Sequence, residues 1–180
     1  MWSAHNINIK RKGVEYFITS LMILKYLLKV DRFDEILIVI CAQIGDNKLA
    51  LSLKNLDIPV VFTGHVDKET YNSILAASDV YCSTTLSDAG PRTTYESAAL
   101  ATPVISFDKC NASDFINENN GALVDTYDVK MFAEEMYRFA NYNTVERKSA
   151  SLNMHTTYKN LMDTKDLINK WEKFFARHGV

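Results

Sequence analysis

The chain lacks a charge excess, a disulfide framework, a metal-ligand cluster and a long apolar run. Its 180 residues carry 20 Lys and Arg against 22 Asp and Glu, a formal net charge of −2. That balance argues against a general nucleic-acid binder, which is usually basic. No apolar stretch approaches the ~20 residues needed to span a bilayer. Three cysteines, Cys41, Cys82 and Cys110, are odd in number, widely spaced and without a C-x-x-C pair. They exclude a disulfide scaffold and point to a reducing compartment, with Cys41 and Cys82 expected as buried thiols at the ends of apolar runs. Four histidines, His5, His65, His155 and His178, show no zinc-ligand spacing, so no metal site is expected. The opening MWSAHNINIKRKG has no signal-peptide architecture and starts abruptly, which suggests a piece cut from a longer protein. There is no internal repeat or low-complexity stretch, and Ser149-Ala150-Ser151 is the only soft linker candidate.

What remains is an ordinary globular composition, 47% apolar and 23% charged, in a length that predicts one domain with room for a real core. Residues 1–5 read as the end of a first strand, followed by a polar loop over Asn6–Lys12. A long amphipathic helix runs from Gly13 to about Lys29, with Val14, Phe17, Ile18, Leu21, Leu24 and Leu28 on one face. Ile36–Cys41 is a continuous β-branched run that suits a parallel strand buried on both sides. A turn at Gln43–Asn47 and a short helix to about Lys54 come next. Val60–Thr63, Val80–Ser83, Pro103–Phe107 and Gly121–Val124 read as further strands. Asp67 is placed to cap a helix carrying Tyr71, Ile74 and Leu75. A short helix is expected after the polar loop Asp108–Asp114. The tail is helical, with Met131, Phe132, Met136 and Phe139 facing the core, a short piece over Thr144–Met154, and a final helix. The last stripe, Leu167, Ile168, Trp171, Phe174 and Phe175, is expected to be core or to pack on a missing partner domain. Strands alternating with helices predict an α/β, Rossmann-like doubly wound parallel sheet of about six strands with a helical C-terminal tail. Ligands of such sheets sit at the carboxyl ends of the strands, where the polar loops should gather.

The most informative stretch is Ser87–Asp108, SDAGPRTTYESAALATPVISFD. Pro91 fits a first helical position, leaving the N–H groups of Arg92, Thr93 and Thr94 free for an anion. Gly90 lets the backbone approach a ligand closely. Glu96, a turn further in, can accept from two vicinal hydroxyls, and Asp88 from a sugar hydroxyl. On spacing alone the plainer reading is the better one, with Asp88 a helix cap and Glu96 a solvated or dipole-favoured acid.

Asp88 and Glu96 have an acid-x7-acid spacing, followed by SAALATPVI. This resembles the E-x7-E segment of retaining GT-B glycosyltransferases of family 4, the glycosyl transferases of group 1. Three further anchors agree in order. Arg11-Lys12-Gly13 resembles the family's R-K-G, Phe62-Thr63-Gly64-His65-Val66 its F-x-G-x-V, and Leu75–Tyr81 its L-Y-x-x-A-D-V-F. The resemblance covers roughly residues 1–142 and, more loosely, the last helix.

The resemblance implies the donor-binding C-terminal half of a GT-B fold, lacking its N-terminal acceptor domain. The parent would be a hexosyltransferase-type enzyme of cell-surface polysaccharide synthesis, cytoplasmic and peripheral at the inner face of the membrane. Its donor would be a nucleoside-diphosphate sugar, with no cofactor and no metal, in keeping with the absence of a D-x-D motif. Lys12 would neutralise the donor diphosphate, with Arg11 beside it. Asp88 would contact the donor sugar near its reacting face, and Glu96 would hold the ribose. The backbone of Gly64, His65 and Val66 would line the base pocket, and Gly90, Arg92, Thr93 and Thr94 would hold the phosphates or the sugar. The chain departs from the family at Asn6, where a second cation is usual, with Arg11 or Arg92 as candidates to compensate. Asp88 is one methylene shorter than the usual Glu, Ala89-Gly90-Pro91 replaces G-F-G, and Ala101 replaces a glycine. The isolated chain is expected to bind nucleotides weakly and turn over little. Two alternatives are a catalytically silent sugar-nucleotide-binding module and another GT-B enzyme such as a sugar-nucleotide epimerase. A receiver-type signalling domain is disfavoured, because Cys41-Ala42-Gln43 does not supply its acids.

Overall fold

The computed structural model describes residues 1–28, 32, 35–44, 48–90 and 92–178. Six short strands alternate with helices: β1 Trp2–Asn6, α1 Val14–Leu27, β2 Ile38–Gln43, α2 Lys48–Lys54, β3 Val60–Phe62, α3 Lys68–Ala76, β4 Tyr81–Ser83, α4 Arg92–Ala99, β5 Val104–Phe107 and β6 Gly121–Val124. Three helices close the chain, α5 Val129–Ala140, α6 Thr144–Leu161 and α7 Thr164–His178.

Every ladder is parallel, β1-β2-β3 forming one sheet and β4-β5-β6 the other. The two meet along β1 and β4, where the Cys82 N–H donates to the Met1 carbonyl at 2.8 Å and the Met1 amine to the Val80 carbonyl at 2.9 Å. The spatial order is therefore β3-β2-β1 against β4-β5-β6, the doubly wound arrangement with its switch point between β1 and β4. Side chains alternate along these strands as their period of two requires. Ile38, Ile40, Ala42, Cys82, Ile105 and Phe107 join the core that α1, α2 and α5 cover, together with Trp2, Phe17, Leu21, Phe132 and Phe139. Cys41, Tyr81 and Val104 turn to the other face and pack with Leu75, Ala98 and Met154 from α3, α4 and α6. Each fully buried aromatic or aliphatic side chain contributes about 1.5–3 kcal/mol. Gly121 fixes the β5–β6 spacing, since a Cβ there would lie 2.1 Å from the Val104 carbonyl oxygen.

Several helix ends follow local chemistry. Asp67 caps α3, accepting from the Thr70 N–H at 2.9 Å. Asn143 and Glu146 form a capping box that starts α6. At the C-terminus of α4, Ala101 adopts φ +61° and the Thr102 N–H reaches back to the Ser97 carbonyl at 2.9 Å. That is a Schellman closure, with alanine in the left-handed position that glycine takes most cheaply.

The structure corrects the sequence reading in five places. The strand expected at Ile36–Cys41 lies two residues later, since Ile36 and Leu37 precede the ladder. The polar loop Asp108–Asp114 ends in a single 3-10 turn, Ala112–Asp114, and not in a longer helix. Met131 is exposed while Phe132, Met136 and Phe139 are buried. The piece expected over Thr144–Met154 is an 18-residue helix that runs through Ser149-Ala150-Ser151. No Gly or Pro interrupts it, and its Ala150 and Met154 are buried, so the linker reading fails. The stripe Leu167, Ile168, Trp171, Phe174 and Phe175 is exposed, so it is not core of this chain. The expectations for Lys29, for most of the Gln43–Asn47 turn and for Pro91 lie outside the described residues.

Candidate functional site

The site is built from the loop after β1 and the loop after β4, which are stitched together. Ile7 is fully buried and anchors the first loop. Residues Lys10–Lys12 form a 3-10 turn that ends at Gly13, φ +64°. A Cβ at Gly13 would lie 2.2 Å from the Thr84 carbonyl oxygen, so the two loops touch there backbone to backbone. The Thr84 hydroxyl donates to the Lys12 carbonyl at 2.9 Å and accepts from the Trp2 indole at 3.1 Å, while the Leu86 N–H donates to the Arg11 carbonyl at 2.8 Å. These bonds bring two cations against the acid of the second loop. Lys12 Nζ and Arg11 Nη1 lie 2.8 and 2.6 Å from Asp88 Oδ2. The Lys12 hydrogen bond, aided by Arg11, holds the Asp88 carboxyl down to about 2 from its ordinary 3.8. The Gly90 N–H points at Asp88 Oδ1 at 3.5 Å, and among the described residues nothing beyond its chain neighbours lies within 4 Å of a Cβ built on Gly90.

The opposite wall is α4 facing α3. Glu96 Oε1 accepts from Lys68 Nζ at 2.5 Å and lies 3.4 Å from Arg92 Nε. Beneath them the Ser3 hydroxyl bonds Tyr71 OH at 3.0 Å and Tyr81 OH at 3.2 Å. Thr93 lies against both phenols. Burial pushes the Tyr71 and Tyr81 phenols and the Cys41 thiol up, so all three stay protonated near neutral pH. His65 meets His5 edge-on, ring centroids 4.8 Å apart.

Part of this set lines one cavity of about 370 Å³ at the carboxyl edge of the strands. Of the residues singled out by sequence, Lys12, Gly64, His65, Val66, Arg92, Thr93 and Glu96 line it. Asp88 reaches it through Lys12, Arg11 sits outside Asp88, and Gly90 follows Asp88 on the same loop. Thr94 does not line it and is buried, its Oγ1 without a hydrogen-bond partner among the described residues. Ser3, His5, Cys41, Lys68 and Tyr71 also line the cavity and were not anticipated. Lys68 carried a signal, since it follows the capping Asp67 just after the Gly64–Val66 turn. A larger cavity of about 530 Å³ opens at the opposite edge, lined by Met1, Leu24, Ile38, Ile74, Phe139 and neighbours. Its lining is mostly apolar and it lies away from the loops that follow the strands, so it is not the ligand edge of a doubly wound sheet. Among the described residues no group of His, Cys, Asp and Glu could hold a metal ion, and no helix is long and apolar enough to cross a membrane.

Residues 5–152 match the family described as Glycosyl transferases group 1. No curated protein sequence matches the chain. Among solved structures, TarM of S. aureus, determined with Fondaparinux, alpha-GlcNAc-glycerol and UDP, has a TM-score of 0.78 at 16% identity, covering 97% of this chain and 35% of that one. The pneumococcal O-GlcNAc transferase GtfA, solved with UDP and GlcNAc, gives 0.73 at 18% identity, covering 98% and 35%. The catalytic domain of cholesterol-alpha-glucosyltransferase from Helicobacter pylori gives 0.72 at 13% identity, covering 89% and 98%. The chain thus spans about a third of TarM and of GtfA.

Proposed function

Because the chain belongs to the group 1 glycosyl transferases, we propose that its carboxyl-edge cavity binds the nucleoside-diphosphate sugar donor of a retaining GT-B glycosyltransferase. The observation that carries this reading is the convergence of Lys12, Glu96 and the first turn of α4 on one cavity. A diphosphate has a cation in Lys12 and the start of α4 to meet. A ribose diol has the Glu96 carboxylate, and a base has the open backbone at Gly64–Val66. Asp88, held ionised by Lys12 and Arg11, would accept from a sugar hydroxyl. In the transfer the bond between the sugar's anomeric carbon and the diphosphate oxygen breaks as an acceptor oxygen bonds to the same face. The acceptor's proton leaves with the diphosphate. Lys12 lowers the barrier by stabilising the charge that grows on the leaving group.

The acceptor would be a glycan or lipid-linked sugar held by an N-terminal domain of the parent, a cytoplasmic enzyme of cell-surface polysaccharide synthesis. The 180 residues act as one donor-binding domain of it, without a metal. A second reading, a binding module without transfer, has its own support. Asn6 supplies no charge and its Oδ1 accepts from the Asn8 N–H at 2.8 Å. Calorimetry with a panel of nucleoside diphosphates and their sugars tests the donor site. Glu96→Ala should weaken binding by about 1.5–3 kcal/mol. Lys12→Ala should weaken diphosphates more than nucleosides, and equal losses would refute its role. Turnover assays on the parent protein with the same donors separate the two readings.

A further inference from the structure

The free site is charge-saturated in an asymmetric way. Two carboxylates face four cations, and each carboxylate is held by two of them, Asp88 by Arg11 and Lys12 and Glu96 by Lys68 and Arg92. With Lys68 Nζ 2.5 Å from Glu96 Oε1, that oxygen is already engaged and less open to a pair of hydroxyls. The two partners of Glu96 differ. Arg92 stands 3.4 Å away on the same helix, and its side chain is 89% exposed. Lys68 comes from the facing helix α3 and lines the cavity that Lys12 lines. Its ammonium sits at the first residue of α3, where the helix dipole favours an anion over a cation. Its side chain is 62% exposed on a four-carbon stem, so it is free to swing.

Taking the cavity to be the donor site proposed above, we infer that Lys68 is a diphosphate ligand stored on Glu96. A diphosphate entering beside Lys12 draws the Lys68 ammonium off the carboxylate. The released Glu96 then takes the ribose hydroxyls. The phosphate and ribose ends of the ligand are thereby coupled: each completes the exchange that the other requires, with no carboxylate or ammonium left unpaired. A nucleoside without phosphates must instead compete with Lys68 for Glu96.

The coupling gives Lys68→Ala opposite effects on two ligands. Calorimetry and NMR titration of the chain would use UDP, GDP and ADP and their nucleosides. Lys68→Ala should weaken the bound diphosphate on the order of tenfold, the loss of a charge-assisted contact. The same variant should tighten the matching nucleoside about two- to fivefold, because an exposed ion pair no longer competes for Glu96. Lys68→Arg should restore the diphosphate. An unchanged diphosphate affinity would overturn the proposal, and so would a loss shared by both ligands, which would make Lys68 only a support for Glu96. If the unaltered chain binds none of the six compounds, the nucleotide reading of the cavity itself falls, and this inference with it.

Discussion

Replacing Gly13 with alanine tests the junction on which the site is built. The residue sits at φ +64°, and the added Cβ would meet the Thr84 carbonyl oxygen at 2.2 Å, the Thr84 carbonyl carbon at 3.2 Å and Tyr16 Cδ2 at 3.2 Å. The left-handed backbone costs an alanine about 1–2 kcal/mol. The overlap with Thr84 is with backbone, which no rotamer change relieves. Forcing the two loops apart adds about 1–3 kcal/mol, the range for overpacking. The reduced entropy of the unfolded chain returns about 0.5 kcal/mol. The expected loss is about 3 kcal/mol, or roughly 6–12 °C in melting temperature at this size. Gly64→Ala is the control, because its φ is +67° but among the described residues nothing beyond its chain neighbours lies within 4 Å of the new Cβ. It should cost only the backbone share, about 1 kcal/mol. Urea unfolding of both variants measures the difference, which is the price of the contact with Thr84. The shift should also loosen the Thr84-to-Lys12 and Leu86-to-Arg11 bonds and weaken diphosphate binding. If Gly13→Ala and Gly64→Ala were equally stable, the loops would not be locked backbone to backbone and the reasoning would fail.

Two other substitutions probe local chemistry. Ala101→Gly should stabilise the chain by about 0.5–1 kcal/mol, since φ +61° at the end of α4 suits glycine; a thermal scan showing a lower melting temperature would contradict the Schellman assignment. Asp88→Asn should cost about 1 kcal/mol at pH 7, discounted for the exposure of its partners. The folded carboxyl is lowered to about 2 from 3.8, so its contribution is present above about pH 4 and lost as the pH falls through about 2. The stability gap between Asp88→Asn and the unaltered chain should therefore close between pH 4 and pH 2, and a gap that held constant would refute the ion-pair account.

The doubly wound sheet was legible because its cause is local. Runs such as VVF at β3 and VISF at β5 lie between amphipathic segments, and burial sorts such a pattern into strands with helices on both faces. The cap at Asp67 and the turns of the carboxyl edge were legible for the same reason. Ser149-Ala150-Ser151 misled because small residues mark linkers and also pack well inside a helix, and the burial of Ala150 and Met154 decided between them. The apolar stripe of α7 announced a helix with one oily face. It could not say what covers that face, and nothing among the described residues does.

The candidate site divides along the same line. The sequence by itself determined which chemistry was on offer: a lysine before a helix, a turn with an open backbone, and two acids around a helix start. Only the tertiary structure decided who holds whom. Arg11 and Asp88 are 77 residues apart and Lys68 and Glu96 are 28 apart, yet they touch. No periodicity encodes such pairs, because they arise where successive βα loops are folded onto one sheet edge. That is why the sequence offered Asp88 as a sugar contact or a helix cap and Glu96 as a ribose contact or a solvated acid, and why each proves to be ion-paired in the fold.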